Sequence, residues 1–138
     1  MKQNNTLLPI ILVSVVLFGV IVGLVFLSKN SPTSNLDYSN FIQCLADSGA
    51  KFYGASWCPH CANQKAMFGN QSGILEEKGV YVECSVNGGN EQNQTCNDAK
   101  IESYPTWDIN GQRQTGEIPL ETLASLTQCE LPVEASNQ

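Results

Sequence analysis

Apolar residues are arranged along this chain in two regimes. From Leu7 to Leu27 they run for 21 residues without a charge (LLPIILVSVVLFGVIVGLVFL). Beyond Ser28 they recur in short periodic groups separated by polar turns. At about 1.5 Å rise per residue the first run predicts a helix of roughly 31 Å, the thickness of a hydrocarbon core of about 30 Å. A cleaved signal peptide has a shorter apolar region, about 7–15 residues, and ends at small residues. Here the run ends Val25-Phe26-Leu27-Ser28-Lys29-Asn30, and Lys2 and Lys29 bracket it, which also argues against a buried helix of a water-soluble core. The expectation is a retained transmembrane anchor at 7–27, with residues 1–6 on its cytoplasmic side and a polar linker at 28–36. Gly19 and Gly23 form a G-x-x-x-G pattern, which either marks a helix–helix contact in the membrane or has no such role.

The later groups predict an α/β domain over residues 37–131 and a short tail over 132–138. A helix is expected from Tyr38 to Asp47, with Phe41, Ile42 and Leu45 at helical spacing and Gly49 as its stop. Lys51 to Ala55 reads as a central strand. A helix then starts at Cys58-Pro59, where the missing N–H of proline is no loss, and continues to Gly69. Val80 to Cys84 is a second strand, Asn87 to Asn97 a polar loop, and Asp98 to Ile101 a short helix. Thr106–Ile109 and Gln112–Thr115 flank Asn110-Gly111, a strong two-residue hairpin signal. A last helix, Leu120 to Gln128, is expected to face inward through Leu123 and Leu126.

Charge and cysteine content narrow the surroundings. From Leu36 onward five basic residues stand against thirteen acidic ones, a balance of −8, which argues against nucleic acid and anionic lipid surfaces as partners. Lysines flank both ends of the apolar run, so the positive-inside bias is small. Six cysteines in the part beyond the run are typical of an oxidising compartment. The domain is therefore expected on the extracytoplasmic side, facing periplasm, cell surface or a lumen.

The candidate chemistry lies at Cys58-Pro59-His60-Cys61. A lone C-x-x-C is weak evidence, but its place after a strand and at the start of a helix has physical consequences. Unsatisfied N–H groups at a helix N-terminus favour an anion, so a thiolate is stabilised there. Cys58 is expected to be exposed beyond the strand, and Cys61, one turn on, to be more buried and able to close the disulfide. His60 adds a donor and a positive charge when protonated. A more stable thiolate makes the disulfide more oxidising, which favours an oxidase. Zinc needs two further ligands at workable spacing. Cys84 and Cys96 do not form a second C-x-x-C, and His60 is the single histidine, so no metal site is expected. Covalent haem attachment needs histidine after the second cysteine, where Ala62 stands. A purely structural bridge over so short a loop removes little chain entropy. No cofactor is expected. A second feature is Tyr104-Pro105-Thr106-Trp107, where a proline opens a strand; from sequence alone its peptide bond is trans by default.

Trp57-Cys58-Pro59-His60-Cys61, followed by Tyr104-Pro105-Thr106-Trp107, resembles a thioredoxin-like domain, a central mixed sheet flanked by helices. The likeness is to domains fused to or paired with homologues of vitamin K epoxide reductase. It extends through Phe52-Tyr53-Gly54-Ala55, Gln64-Lys65, Met67-Phe68-Gly69, Tyr81-Val82-Glu83-Cys84 and Ile109-Asn110-Gly111, and so covers about Asn40 to Cys129. The resemblance implies that Cys58 exchanges disulfides and Cys61 resolves them, and that Trp57, Pro59 and His60 tune the pair. It also implies a cis Pro105 and a substrate groove along Tyr104, Pro105 and Thr106. Implied partners are exported thiol proteins as substrates and a quinone-reducing membrane oxidoreductase as reoxidant. One departure is Phe52, where many thioredoxins carry a buried carboxylate six residues before the first cysteine. Water or Lys51 is left as the proton acceptor for Cys61.

The remaining cysteines, Cys44, Cys84, Cys96 and Cys129, allow three pairings. Cys84–Cys96, clipping the polar loop, is favoured, leaving Cys44–Cys129 to join the first helix to the end of the last. Free buried thiols, or a redox relay through Cys84–Cys96, are the alternatives. For the whole chain the expectation is an anchored thiol–disulfide oxidoreductase. The alternatives are a disulfide reductase fed by a membrane thiol carrier and a non-catalytic adaptor that only presents a groove.

Overall fold

The computed structural model describes residues 36–133 together with residues 11, 13, 15 and 17–19. The chain divides into two units, Met1–Ser34 and Asn35–Gln138. Most of the expected anchor lies outside the described residues; Ile11, Val13, Val15, Leu17, Phe18 and Gly19 within it are helical. Among the described residues no helix is long and apolar enough to cross a membrane.

The second unit begins with α1 (Ser39–Asp47), whose Phe41, Ile42 and Leu45 are buried as their spacing requires. Gly49 follows at φ +78°, a conformation open to glycine, and turns the chain into β1 (Lys51–Gly54). After β1 come α2 (Pro59–Ala66), a 3₁₀ turn (Gly69–Gln71), α3 (Ile74–Glu77) and β2 (Tyr81–Glu83). Then follow α4 (Gln94–Asp98), β3 (Thr106–Ile109), β4 (Gln112–Thr115) and α5 (Leu120–Thr127). The sheet order is β2-β1-β3-β4. β1 is parallel to β2 and antiparallel to β3, and β3 is antiparallel to β4. A mixed sheet flanked by helices fits the expected thioredoxin-like architecture.

Strand alternation sorts the side chains into two clusters. Phe52 and Trp107 stack on one face, ring centroids 4.9 Å apart, and share the main core with Phe41, Leu45, Phe68, Leu75 and Leu123. On the other face a smaller cluster of Cys84, Cys96 and Ile101 packs with Tyr53, Val82 and Tyr104. The hairpin stands where Asn110-Gly111 predicts it. Both residues have positive φ, +53° and +80°, the turn that matches strand twist.

Several boundaries and one helix face differ from expectation. α2 stops at Ala66 rather than Gly69, and Gly69 itself adopts φ +58°. The unexpected α3 is only one turn long and is carried by the burial of Leu75. The short helix before β3 is Gln94–Asp98 rather than Asp98–Ile101, because Asn93 caps it: its Oδ1 accepts from Cys96 N at 3.0 Å. Leu126 is exposed, not inward; the buried face of α5 is Leu120 and Leu123.

A buried amide joins two of these elements. Gln64 on α2 is fully enclosed, and its side chain completes the backbone of Ile118, the segment leading into α5. Its Oε1 accepts from Ile118 N at 2.6 Å and its Nε2 donates to Ile118 O at 3.0 Å. Leucine at position 64 fills the space but leaves both Ile118 groups unpaired. Gln64→Leu is expected to lower unfolding free energy by about 3 kcal/mol, given roughly 1–3 kcal/mol per buried unpaired group. Urea denaturation checks this, with the midpoint moving at constant slope.

Candidate active site

Cys58 forms the N-cap of α2, with extended backbone at φ −81° and ψ 117°. Pro59 fills the first helical position and needs no hydrogen bond there. This geometry turns the helix N–H groups towards the cysteine: Cys61 N donates to Cys58 Sγ at 3.4 Å. Cys58 and Cys61 are both thiols in this structure. The other four cysteines are closed in two disulfides, Cys44–Cys129 and Cys84–Cys96.

Cys58 is more enclosed than its position suggests, 5 % exposed against 1 % for Cys61. The expectation of an exposed Cys58 is therefore corrected, and the covering chain is visible. Cys58 Sγ lies 3.8 Å from the carbonyl oxygen of Tyr104, and the Trp57 ring, itself 47 % exposed, meets the Tyr104 ring edge-on at 6.1 Å. Tyr104-Pro105 is a cis peptide and Pro105 is buried. The Pro105 carbonyl accepts from Gly116 N at 2.8 Å, and Thr106 Oγ1 donates to Ser103 O at 2.8 Å. Of the three residues expected to line a groove, Tyr104 is the one placed against Cys58, with cis Pro105 and Thr106 following it into β3.

His60 points outward, and its Nδ1 lies 2.6 Å from Glu117 Oε1. Asn63 Nδ2 donates to the same oxygen at 3.1 Å. The bond from His60, then that from Asn63, holds the Glu117 carboxyl below its ordinary range. Glu117 has no motif around it, and the sequence reading missed it.

The surroundings of Cys61 were missed as well. Burial pushes its thiol up to about 12, with the neighbouring Cys58 adding to the effect. Tyr81 and Glu83 alternate on β2, so both side chains share the face of the sheet that carries Phe52. Tyr81 Oη donates to Glu83 Oε2 at 2.8 Å. Glu83 Oε1 accepts from Ser56 N at 3.0 Å, from Ser85 N at 2.9 Å and from the Ser85 hydroxyl. Burial alone raises the Glu83 carboxyl, but these bonds outweigh it and hold the group below its ordinary range. Lys51, considered from sequence as a proton acceptor, is engaged elsewhere: its Nζ donates to Gly79 O at 2.7 Å. The lysine beside the site is Lys65, whose Nζ sits 3.4 Å over the Tyr81 ring and 2.5 Å from Glu76. Only the period-two spacing of Tyr81 and Glu83 hinted at this network. Among the described residues no cluster of histidine, cysteine or carboxylate side chains is arranged to hold a metal ion.

Fold and site define a chain built for sulfur exchange at a helix N-terminus. Comparison with known proteins agrees. The chain is 46 % identical over 82 residues to the Thiol-disulfide oxidoreductase LTO1 of Arabidopsis thaliana, and the match covers 57 % of this chain. It covers 21 % of the relative, so the chain spans about a fifth of the length of that protein. No family model matches the chain. Fold, site and relative together support a thioredoxin-like oxidoreductase.

The lowered Glu83 carboxyl has a consequence for stability. The folded state binds this proton more weakly than the unfolded chain, so Glu83 stabilises the fold above the ordinary carboxylate range. That contribution is lost as pH falls through the folded value. Glu83→Gln is expected to flatten the acid limb of stability against pH, measured by thermal unfolding from neutral to acidic buffer.

Proposed function

We propose that this chain is a membrane-anchored, extracytoplasmic thiol–disulfide oxidoreductase that exchanges disulfides with exported proteins through Cys58-Pro59-His60-Cys61. In this proposal a vitamin K epoxide reductase-like, quinone-reducing membrane enzyme reoxidises it. One observation carries the chemistry: of six cysteines, the two left as thiols are those at the junction of β1 and α2, with a backbone N–H aimed at the outer sulfur. The location draws support from the uninterrupted apolar run and from the two disulfides, which belong to an oxidising compartment.

In the forward direction a substrate thiolate attacks Cys58 Sγ of the oxidised pair. A substrate–Cys58 disulfide forms, the Cys58–Cys61 bond breaks, and Cys61 leaves with the electron pair. A second substrate thiolate attacks the substrate sulfur of this mixed disulfide and releases Cys58. The substrate is oxidised by two electrons and the pair is reduced to the dithiol. Amides at a helix N-terminus favour negative charge on the outer sulfur, so the released state is stabilised and the disulfide becomes a better oxidant.

The reduction potential of the Cys58–Cys61 pair, equilibrated with glutathione, tests the direction. A value of about −120 to −180 mV is expected for a disulfide donor, whereas about −270 mV assigns the protein to disulfide reduction. Cys58→Ser is expected to abolish exchange altogether; retention of the cellular role by that variant would identify an adaptor. Cys61→Ser cannot close the Cys58–Cys61 disulfide and is expected to lose thiol oxidation. Its Cys58 thiolate still attacks a disulfide carried by a partner, and without a resolving thiol that mixed disulfide is expected to accumulate, visible on non-reducing gels.

A further inference from the structure

Exchange requires Cys61 to change its charge in a place that water does not reach. Its sulfur leaves as a thiolate when Cys58 is attacked, and it must lose a proton again before it can attack a mixed disulfide. Burial works against the charged form, since moving an ionised group out of water is costly unless something compensates it. A group near the sulfur must therefore give and take the proton.

Gly54, at the end of β1, shows which group is placed to do so. A carbon added to Gly54 would lie 3.0 Å from Cys61 Sγ, 2.8 Å from Tyr81 Cε2 and 3.3 Å from Tyr81 Oη. The Cys61 sulfur and the Tyr81 hydroxyl thus both close in on the side of Gly54 that carries no side chain. Tyr81 is 7 % exposed and its hydroxyl is bonded to Glu83 Oε2. The other oxygen of Glu83 is bonded to Ser56 and Ser85, whose hydroxyls lie 3.1 Å apart, and Ser56 is exposed. A line of hydrogen-bonded polar atoms leads from the Tyr81 hydroxyl, next to the core sulfur, to solvent.

We infer that Tyr81 and Glu83 form the proton relay of Cys61, an assignment that rests on the redox function proposed above. When Cys61 leaves as a thiolate, the Tyr81 hydroxyl passes its proton to the sulfur and is reprotonated through Glu83 from solvent. When Cys61 attacks a mixed disulfide the flow reverses. The thiol proton passes to Tyr81 Oη as the phenol proton passes to Glu83 Oε2, and the electron pair left on Cys61 forms the new S–S bond while the outgoing thiolate departs from Cys58. No other reactant is needed. The remaining charged and titratable groups around the pair are Cys58 and Lys65 on α2, Glu76 on α3 and Tyr104 before β3. Lys65 favours the thiolate of Cys61, whereas burial first, and Glu83 next, hold the Tyr81 phenol protonated. Glu76 also acts against the phenolate.

The test uses the full chain with its Cys58 joined to glutathione, and follows release of glutathione by Cys61 across pH. Tyr81→Phe keeps the ring packed against Phe52 and removes the hydroxyl; Glu83→Gln keeps the shape and removes the proton-accepting charge. Each is expected to slow release at neutral pH by about 100-fold, the lower range for a positioned proton-transfer group. The deficit should shrink towards alkaline pH, where hydroxide removes the Cys61 proton directly. Alkylation of the reduced Cys58 should proceed at the rate of the unaltered chain, which separates relay loss from general disturbance of the site. The unaltered chain should also show a normal solvent deuterium isotope effect on release, a readout independent of whether either variant folds. Release by Tyr81→Phe with an unchanged pH profile, or no isotope effect in the unaltered chain, overturns the relay. Failure of the unaltered chain to release glutathione at all overturns the redox function itself.

Discussion

An ionisable sulfur enclosed by a protein core imposes conditions on everything packed around it. Cys61 can sit one turn into α2 only if the adjoining strand yields space, and Gly54 supplies it by having no side chain. The same gap admits the edge of Tyr81, which in turn packs edge-on against Phe52 at 5.0 Å. Phe52 carries the stack with Trp107 that anchors β1 to β3. Apolar packing and sulfur chemistry therefore meet in a few residues. A larger residue at position 54 would disturb both at once, because its first carbon would already be too close to two side chains.

The elements most faithfully predicted were those fixed by local chemistry. The hairpin at Asn110-Gly111 needed only two residues that tolerate positive φ between two strands, and both strands have the expected bounds. Cys58 at a helix cap was likewise visible from its neighbours, because a strand, a proline and helix-forming residues follow one another. What could not be read depended on partners distant in sequence. Leu126 has helical spacing suited to burial, yet nothing in the spacing says how wide a stripe of α5 the core covers. Gln64 looks like a surface residue of α2 until Ile118, 54 positions later, is placed against it. Glu117 beside His60 and Tyr81 beside Cys61 belong to the same kind. α4 was displaced by a few residues because the Asn93 cap competed with several other asparagines in a polar stretch rich in residues of similar capping ability.

The six cysteines divide by environment rather than by spacing alone. The thiol pair lies at a helix terminus, beside a hydrogen-bonded network of Tyr81, Glu83, Ser56 and Ser85. Cys84–Cys96 lies in the smaller cluster across the sheet and closes a short loop, whereas Cys44–Cys129 spans 85 positions. By loop-closure entropy the longer ring restricts the unfolded chain more, about 4.5 kcal/mol against about 3 kcal/mol for the shorter one. Stability is thereby assigned to bonds remote from the reacting one, so the exchanging pair can open and close without being needed to hold the fold together.

The long ring also sets how the domain bears load. Cys44 lies in the first helix and Cys129 just beyond the last, so the covalent path from residue 36 to residue 133 can pass through their bond and bypass the sheet. Tension applied between these ends is carried by the sulfur bridge and a few flanking residues. Strands β1 to β4, and α2 with its cysteine pair among them, lie on the slack side of that path. A pull at the ends would therefore find the Cys58–Cys61 pair mechanically sheltered, and a single backbone cut anywhere inside the ring would leave both pieces joined.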